Sequence, residues 1–325
     1  MGCRWAGSTI PGRAVRIGVL VLVLVWALHG MAIPAGKGYS VKDSSGNILA
    51  FPSVPRRIIS TAPSITELLF ALGAGKNVVG VTRHCNYPPE ARGLPRIGDL
   101  LVNMEQAVKL SPDLVVADAS MNPDSARRLK ELGMPVLLLK CNTIENFRKS
   151  LEILGSATGN GKRARALMQD IDRRIRLVEK KVAARGRVPV RVFVEIWDSP
   201  LMTAGKETFF HDLITRAGGI NVAASAASPY PRVGAEFVVE QDPEVIILTT
   251  SQREEVLRRS TWQSVSAVRS GRVHHIDPDI IARPTPRMIE ALELLALWIT
   301  PPQKTLLQDR KSPLPPKCSY TRKMR

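Results

Sequence analysis

From Arg57 onward, short runs of β-branched and aliphatic residues alternate with longer stretches whose apolar positions recur every three or four residues. The short runs predict strands over 57–61, 78–82, 114–117 and 136–139, then over 190–196, 245–249 and 273–276. Some are apolar at consecutive positions, as in Leu114-Val115-Val116 and Val245-Ile246-Ile247, which suits strands covered on both faces. Strands alternating with helical stretches predict an α/β fold built on mainly parallel sheets.

The pattern changes between Gly161 and Gly186. Apolar residues fall at Ala164, Leu167, Met168, Ile171, Ile175, Val178 and Val182, with Arg, Lys and Asp between them. That spacing predicts one helix of roughly six turns with a single apolar stripe. Gly159 and Gly161 precede it, and Gly186 with Pro189 ends it. Such a helix either joins two α/β halves or crosses over inside one large domain. Internal comparison favours two halves. Glu105 leads to Pro112-Asp113 and a strand; Glu236 leads to Pro243-Glu244 and a strand, with Val108 matching Val239 between them. Glu67-Leu68 leads to Gly73 and Asn77-Val78, as Asp212-Leu213 leads to Gly218 and Asn221-Val222. The repeated order of landmarks predicts two related lobes, over 33–158 and 187–303, joined by a helix over 159–186.

With 325 residues, 44% hydrophobic and 23% charged, the chain is long enough for two ordinary cores. The net charge of +17 suggests nucleic acid until it is divided along the chain. Residues 1–35 carry three Arg and no acid, and residues 301–325 carry seven Lys or Arg against Asp309, which leaves +8 on the body. Aromatic residues, at 5%, are too sparse for a base-stacking platform, so no nucleic acid is expected. Arg4, Arg13 and Arg16 precede the apolar run Ile17–Leu28, which spans about 18 Å as a helix, short of a bilayer core of about 30 Å. With Gly30-Met31-Ala32 as a small-x-small site, residues 1–32 read as a secretory signal peptide, the alternative being a retained anchor. No Cys follows the apolar run, so no lipid attachment is expected and the mature protein is expected to be exported and soluble. Residues 304–325, interrupted by Pro313, Pro315 and Pro316 and with charges that are almost all positive, read as a flexible tail able to touch an anionic membrane surface.

Candidate chemistry narrows this further. Gly73-Ala74-Gly75-Lys76-Asn77 lacks the first Gly and the final Ser or Thr of a phosphate loop, and Val78 stands where a dinucleotide fingerprint needs its third Gly. These glycines read as a helix C-terminal cap. His274 and His275 adjoin in a strand, so their rings point to opposite faces and do not chelate one metal. Cys85, Cys141 and Cys318 are too scattered for a metal cluster, and their pairing is open. No metal site, catalytic cofactor or enzymatic activity is expected. Ser64-Ile65-Thr66-Glu67 reads as a capping box. Asn103 and Gly234 suit N-caps, which puts Glu105 and Glu236 at the second position of their helices. Each carboxylate either answers its helix dipole or is displayed, one per lobe, to a two-fold partner.

The ordered set of motifs resembles one family. Ile58 through Pro63-Ser64-Ile65-Thr66-Glu67-Leu68 to Gly73, Val81 through Asn86-Tyr87-Pro88-Pro89-Glu90-Ala91, Asn103-Met104-Glu105 with Pro112-Asp113-Leu114-Val115, Pro229-Tyr230-Pro231-Arg232-Val233 before Glu236, and Arg283-Pro284-Thr285-Pro286-Arg287 together resemble cobalamin-type periplasmic binding proteins. The resemblance covers about residues 55–300. It implies two Rossmann-like lobes joined by a single long α-helix, a ligand cleft between them, and delivery of the ligand to an ABC importer. It also implies that Glu105 and Glu236 meet arginines of a permease dimer. Tyr230 stands where such proteins place a ring against the corrin, and Asp279, Ile280, Ile281, Ala282 and Arg283 match a ligand-contacting loop. Tyr87 and Trp197 are further cleft candidates. His84 and Asp99 depart from the pattern, since each replaces an aromatic. His84 is able to stack, to hydrogen-bond or to coordinate cobalt. Cobalamin or a related corrinoid is therefore the expected cargo; a ferric siderophore or haem, held by Arg83, Arg232 and Arg283, is the alternative.

Overall fold

The computed structural model describes residues 38–300 apart from 100, 122, 187 and 188. The expected signal peptide, Cys318 and the basic tail lie outside the described residues. Strands β1 (Tyr39–Lys42) and β2 (Ile48–Phe51) form an antiparallel hairpin. Then come β3 (Ile58–Ser60), α1 (Pro63–Ala71), β4 (Val78–Val81), α2 (Met104–Lys109), β5 (Leu114–Asp118), α3 (Pro123–Glu131), β6 (Val136–Leu139) and α4 (Ile144–Ala157). The long helix α5 (Gly161–Ala184) leads into β7 (Val190–Glu195), the two-residue strands β8 (Trp197–Asp198) and β9 (Leu201–Met202), α6 (Phe209–Arg216) and β10 (Gly219–Asn221). The chain continues through α7 (Ala235–Gln241), β11 (Val245–Leu248), α8 (Arg253–Arg258), α9 (Ser266–Arg269), β12 (Val273–His275), α10 (Pro278–Ile281) and α11 (Met288–Ile299).

Two four-stranded sheets result, ordered β4-β3-β5-β6 and β10-β7-β11-β12, with every neighbouring pair parallel. Both have the same winding: the first strand of each sheet in chain order lies between the second and the third. Gly73 and Gly218, matched in the sequence, follow α1 and α6 with φ of 82° and 87°, the left-handed conformation that closes a helix. Glu105 and Glu236 open the helix between second and third strands in each lobe. The internal repeat is thus a repeat of structure.

Buried strands send alternate side chains into different layers. Leu114 and Val116 of β5, with Val245 and Ile247 of β11, join one apolar core that runs through both lobes. Val115 and Ala117 face a second core in the first lobe, and Ile246 and Leu248 a third in the second lobe. Helix α5 links the lobes because its stripe, Ala164, Ile171, Ile175, Val178 and Val182, belongs to the shared core. It packs on α4 of the first lobe and on α11 and α6 of the second. Its polar face adds Asp172 to Arg148 at 2.5 Å, Arg174 to Glu293 at 3.2 Å and Glu179 to Arg216 at 2.5 Å. The sequence pattern did not predict β1, β2, β8, β9 or β10. β1 and β2 lie ahead of Arg57, where the strand–helix alternation begins; β8 and β9 have two residues each, and β10 opens with a glycine.

Candidate functional site

In open parallel sheets, ligands bind beyond the carboxyl ends of the strands, where the strand order reverses. Here the reversals lie between β3 and β5 and between β7 and β11. The candidate ligand residues all follow carboxyl ends of strands. Arg83, His84, Asn86, Tyr87 and Asp99 follow β4, Trp197 follows β7, Tyr230 and Arg232 follow β10, and Asp279 through Arg283 follow β12.

Part of this set is an ion cluster that ties the lobes together. Glu67 on α1, 4% exposed, accepts from Arg287 Nε at 2.9 Å and Nη2 at 2.7 Å, and from Arg283 Nη1 at 3.1 Å. Arg283 Nη1 also donates to Asn86 Oδ1 at 2.7 Å, and its Nη2 lies 2.6 Å from Asp279 Oδ1. Asn86 Nδ2 closes the ring by donating to Asp279 Oδ2 at 2.8 Å. Arg287 Cζ stands 4.2 Å from the Tyr87 ring centroid. Burial works to lower the Arg287 pKa, but the hydrogen bond and charge of Glu67, with Asp279 and Tyr87, raise it on balance. A cavity of about 360 Å³ opens beside this cluster, lined by Glu67, Phe70, Tyr87, Pro88 and Arg287 among others.

This arrangement corrects two sequence readings. Glu67 is not half of a capping box: the N-cap of α1 is Ala62, whose side chain makes no cap bond, and Glu67 lies inside the helix facing the other lobe. Ile281, expected to touch ligand, is 1% exposed and packs in the shared core, because α10 turns that position inward. Ile280 is half-buried against the same core and Ala282 is exposed. Asp279 and Arg283 do reach the cleft border, already paired to each other and to the first lobe.

The remaining candidates form an open rim. His84 Nε2 is hydrogen-bonded to Asp99 Oδ1, and Arg83 Nη1 lies 3.4 Å from Asp99 Oδ2. Their side chains are 54%, 42% and 74% exposed respectively for His84, Asp99 and Arg83. Tyr87, Trp197 and Tyr230 are also exposed. Tyr230 comes from the second lobe but feels a group of the first: the protein mass around its phenol and then the charge of Asp118 push its pKa up.

Asp118 and Glu195 were not singled out in the sequence. Asp118 ends β5, is 6% exposed, and accepts from Ser120 N at 2.7 Å and Met121 N at 3.3 Å. Burial raises its pKa against those two bonds. Glu195 ends β7, is fully buried, and pairs with Arg259 at 2.5 Å, whose guanidinium lies 4.5 Å from the Trp262 ring. An acid closing an unbroken apolar run was the available signal for both.

Glu105 and Glu236 are exposed at the second positions of α2 and α7. Asn103 caps α2 by accepting from Gln106 N at 3.1 Å, and Gly234 is the N-cap of α7. Val108 and Val239, one turn on, are exposed as well. Cys85 and Cys141 are free, buried thiols, and burial pushes Cys141 up to about 12. Among the described residues no three His, Cys, Asp or Glu side chains converge on a metal position, and no helix is long and apolar enough to cross a membrane.

Residues 58–280 match the sequence model of the periplasmic binding proteins. The chain belongs to that family. It is 32% identical over 269 residues to the uncharacterized ABC transporter substrate-binding lipoprotein YvrC of Bacillus subtilis, covering 81% of this chain and 85% of the relative. The vitamin B12-binding protein of Vibrio cholerae is 29% identical over 261 residues, 79% of this chain and 94% of its own. The solved periplasmic vitamin B12 binding protein BtuF of Vibrio cholerae has a TM-score of 0.68 at 27% identity, covering 78% of this chain and 98% of that one. The periplasmic heme-binding protein RhuT of Roseiflexus sp. RS-1 has a TM-score of 0.68 at 26% identity, covering 75% and 98%. As a periplasmic binding protein the chain takes up a transported ligand, rather than a catalytic cofactor, and works with the permease and ATPase of an ABC importer. The family is one of transport proteins, not an enzyme class.

Proposed function

We propose that this periplasmic binding protein captures cobalamin or a related corrinoid and delivers it to the permease dimer of an ABC importer. The supporting observation is the placement of three aromatic rings, Tyr87, Trp197 and Tyr230, which are 44%, 51% and 45% exposed and all leave carboxyl strand ends. Exposed rings from both lobes suit a broad, mostly apolar macrocycle, and the polar groups of Asp279 and Arg283 at the border suit amide side arms. His84, Asp99, Ile280 and Ala282 complete the proposed contact set. Helix α5, packed into both lobes, favours limited closure on binding. Glu105 and Glu236 are proposed to meet basic residues of the permease, one from each lobe.

A second reading keeps the fold and changes the cargo to haem or a ferric siderophore. It is favoured by Arg83 and Arg232, both exposed on the rim where an anionic iron complex would need them. Calorimetric titration with cyanocobalamin, cobinamide, haem and a ferric hydroxamate decides between them. Tight one-to-one binding of a corrinoid is expected. Heat with an iron complex and none with either corrinoid would transfer the cleft to the second reading.

A further inference from the structure

The pairing of His84 with Asp99 is set by backbone as well as side chains. Arg83 N donates to Gly98 O at 2.9 Å, and Asp99 N donates to Leu101 O at 3.2 Å, so the two arms of the loop are stitched beside the pair. A Cβ at Gly98 would fall 2.3 Å from Leu101 O, so this close approach requires glycine. Arg83 holds the far oxygen of Asp99. Arg283 Nη2, in the interlobe cluster, lies 3.4 Å from the His84 carbonyl.

A carboxylate accepts but does not donate, so the hydrogen of this bond sits on His84 Nε2, and in the neutral ring Nδ1 is then the nitrogen that carries the lone pair. One imidazole nitrogen tied to a carboxylate, with the other offered outward, is the arrangement that orients histidine toward metals. Among the described residues no three ligating side chains converge, so a bare ion would find too few donors here. A metal that brings its equatorial ligands with it needs only one.

We propose that His84 Nδ1 is an axial donor to the cobalt of a corrinoid with an exchangeable axial position, and that Asp99 is the positioning residue that orients the ring. This deepens, and depends on, the corrinoid reading above. In the exchange, the Nδ1 lone pair forms the Co–N bond and the displaced water leaves with the electron pair of the Co–O bond. No electron is transferred and no proton is lost.

The test is visible spectroscopy of the purified protein titrated with diaquocobinamide. The wild type should bind with its bands displaced toward those of diaquocobinamide mixed with imidazole. His84→Ala should bind with undisplaced bands, and added imidazole should restore the displacement. Asp99→Ala should bind at least about tenfold more weakly. Asp99→Asn, whose amide oxygen still accepts from Nε2, should stay closer to wild type. Dicyanocobinamide, with both axial positions taken, should bind without a change of bands. Wild-type binding without displacement, or displacement that persists in His84→Ala, would overturn the ligation while leaving the cargo intact. A wild type that binds no corrinoid at all would remove the cargo reading and the ligation with it.

Discussion

Two groups of charges stand at the same ends of the same sheets and do different things. The interlobe cluster buries Glu67 and surrounds it with Arg283, Arg287, Asn86 and Asp279, so that each charge has a fixed partner. The rim pair His84 and Asp99, with Arg83, is open to solvent on every member. Residue type does not separate them, since both contain arginine and a carboxylate. Burial does. A buried carboxylate must keep its partners, because an uncompensated charge in low dielectric is costly, whereas an exposed one is free to exchange them for a ligand. Arg283 and Arg83 are therefore not equivalent: the first is engaged in holding the lobes, and the second is available.

The strongest way to break this contrast is Glu67→Ala. It leaves two guanidinium groups facing each other, and a loss of about 3–5 kcal/mol in urea unfolding is expected. A loss under about 1 kcal/mol would place the cluster with surface pairs. His274 extends the contrast to a shielded group beside two arginines. It stacks on Trp298 at 4.8 Å, and burial, then Arg272 and Arg253, lower its pKa to about 4. The unfolded chain therefore takes up this proton first as pH falls from about 6.5 toward 4, and up to about 3 kcal/mol of stability is lost over that window. In His274→Phe, which keeps the stack, unfolding measured from pH 7 to 4 should lose this part of the pH dependence.

The rim should respond in binding rather than stability. Tyr230→Ala is expected to weaken corrinoid binding by roughly tenfold, about 1.4 kcal/mol, by calorimetry. Asp99→Ala should cost less than about 1 kcal/mol in the same urea assay in which Glu67→Ala is large. Smallest in effect on the isolated protein are Glu105→Arg and Glu236→Arg, expected within about 0.5 kcal/mol in stability and unchanged in ligand affinity. Both should abolish association with permease in reconstituted vesicles. Transport at the wild-type rate by both variants would remove the docking proposal.

Much of the scaffold was legible because its signals are local. Helix α5 spans Gly161–Ala184, where the apolar stripe and its flanking glycines predicted it. Asn103 and Gly234 sit at the N-caps assigned to them, and the matched glycines 73 and 218 close matched helices. The short β10 carries no such signal because Gly219-Ile220-Asn221 has a single β-branched residue between a glycine and a polar side chain, although it pairs with β7 and completes the second sheet.

By itself the sequence determined the alternation of parallel strands and helices, the single connecting helix, the twofold repeat of landmarks and the place of Glu105 and Glu236 at the second position of matched helices. All follow from periodicity and from caps within a few residues of one another. Only the tertiary structure decided which polar residues are committed and which are free. Glu67 meets Arg283 across 216 residues, Asn86 meets Asp279 across 193, and Ile281 is turned into a core assembled from both lobes. A helical carboxylate looks the same in sequence whether it caps its own helix or anchors another lobe. Its partner is fixed by packing, which couples positions that no local pattern connects.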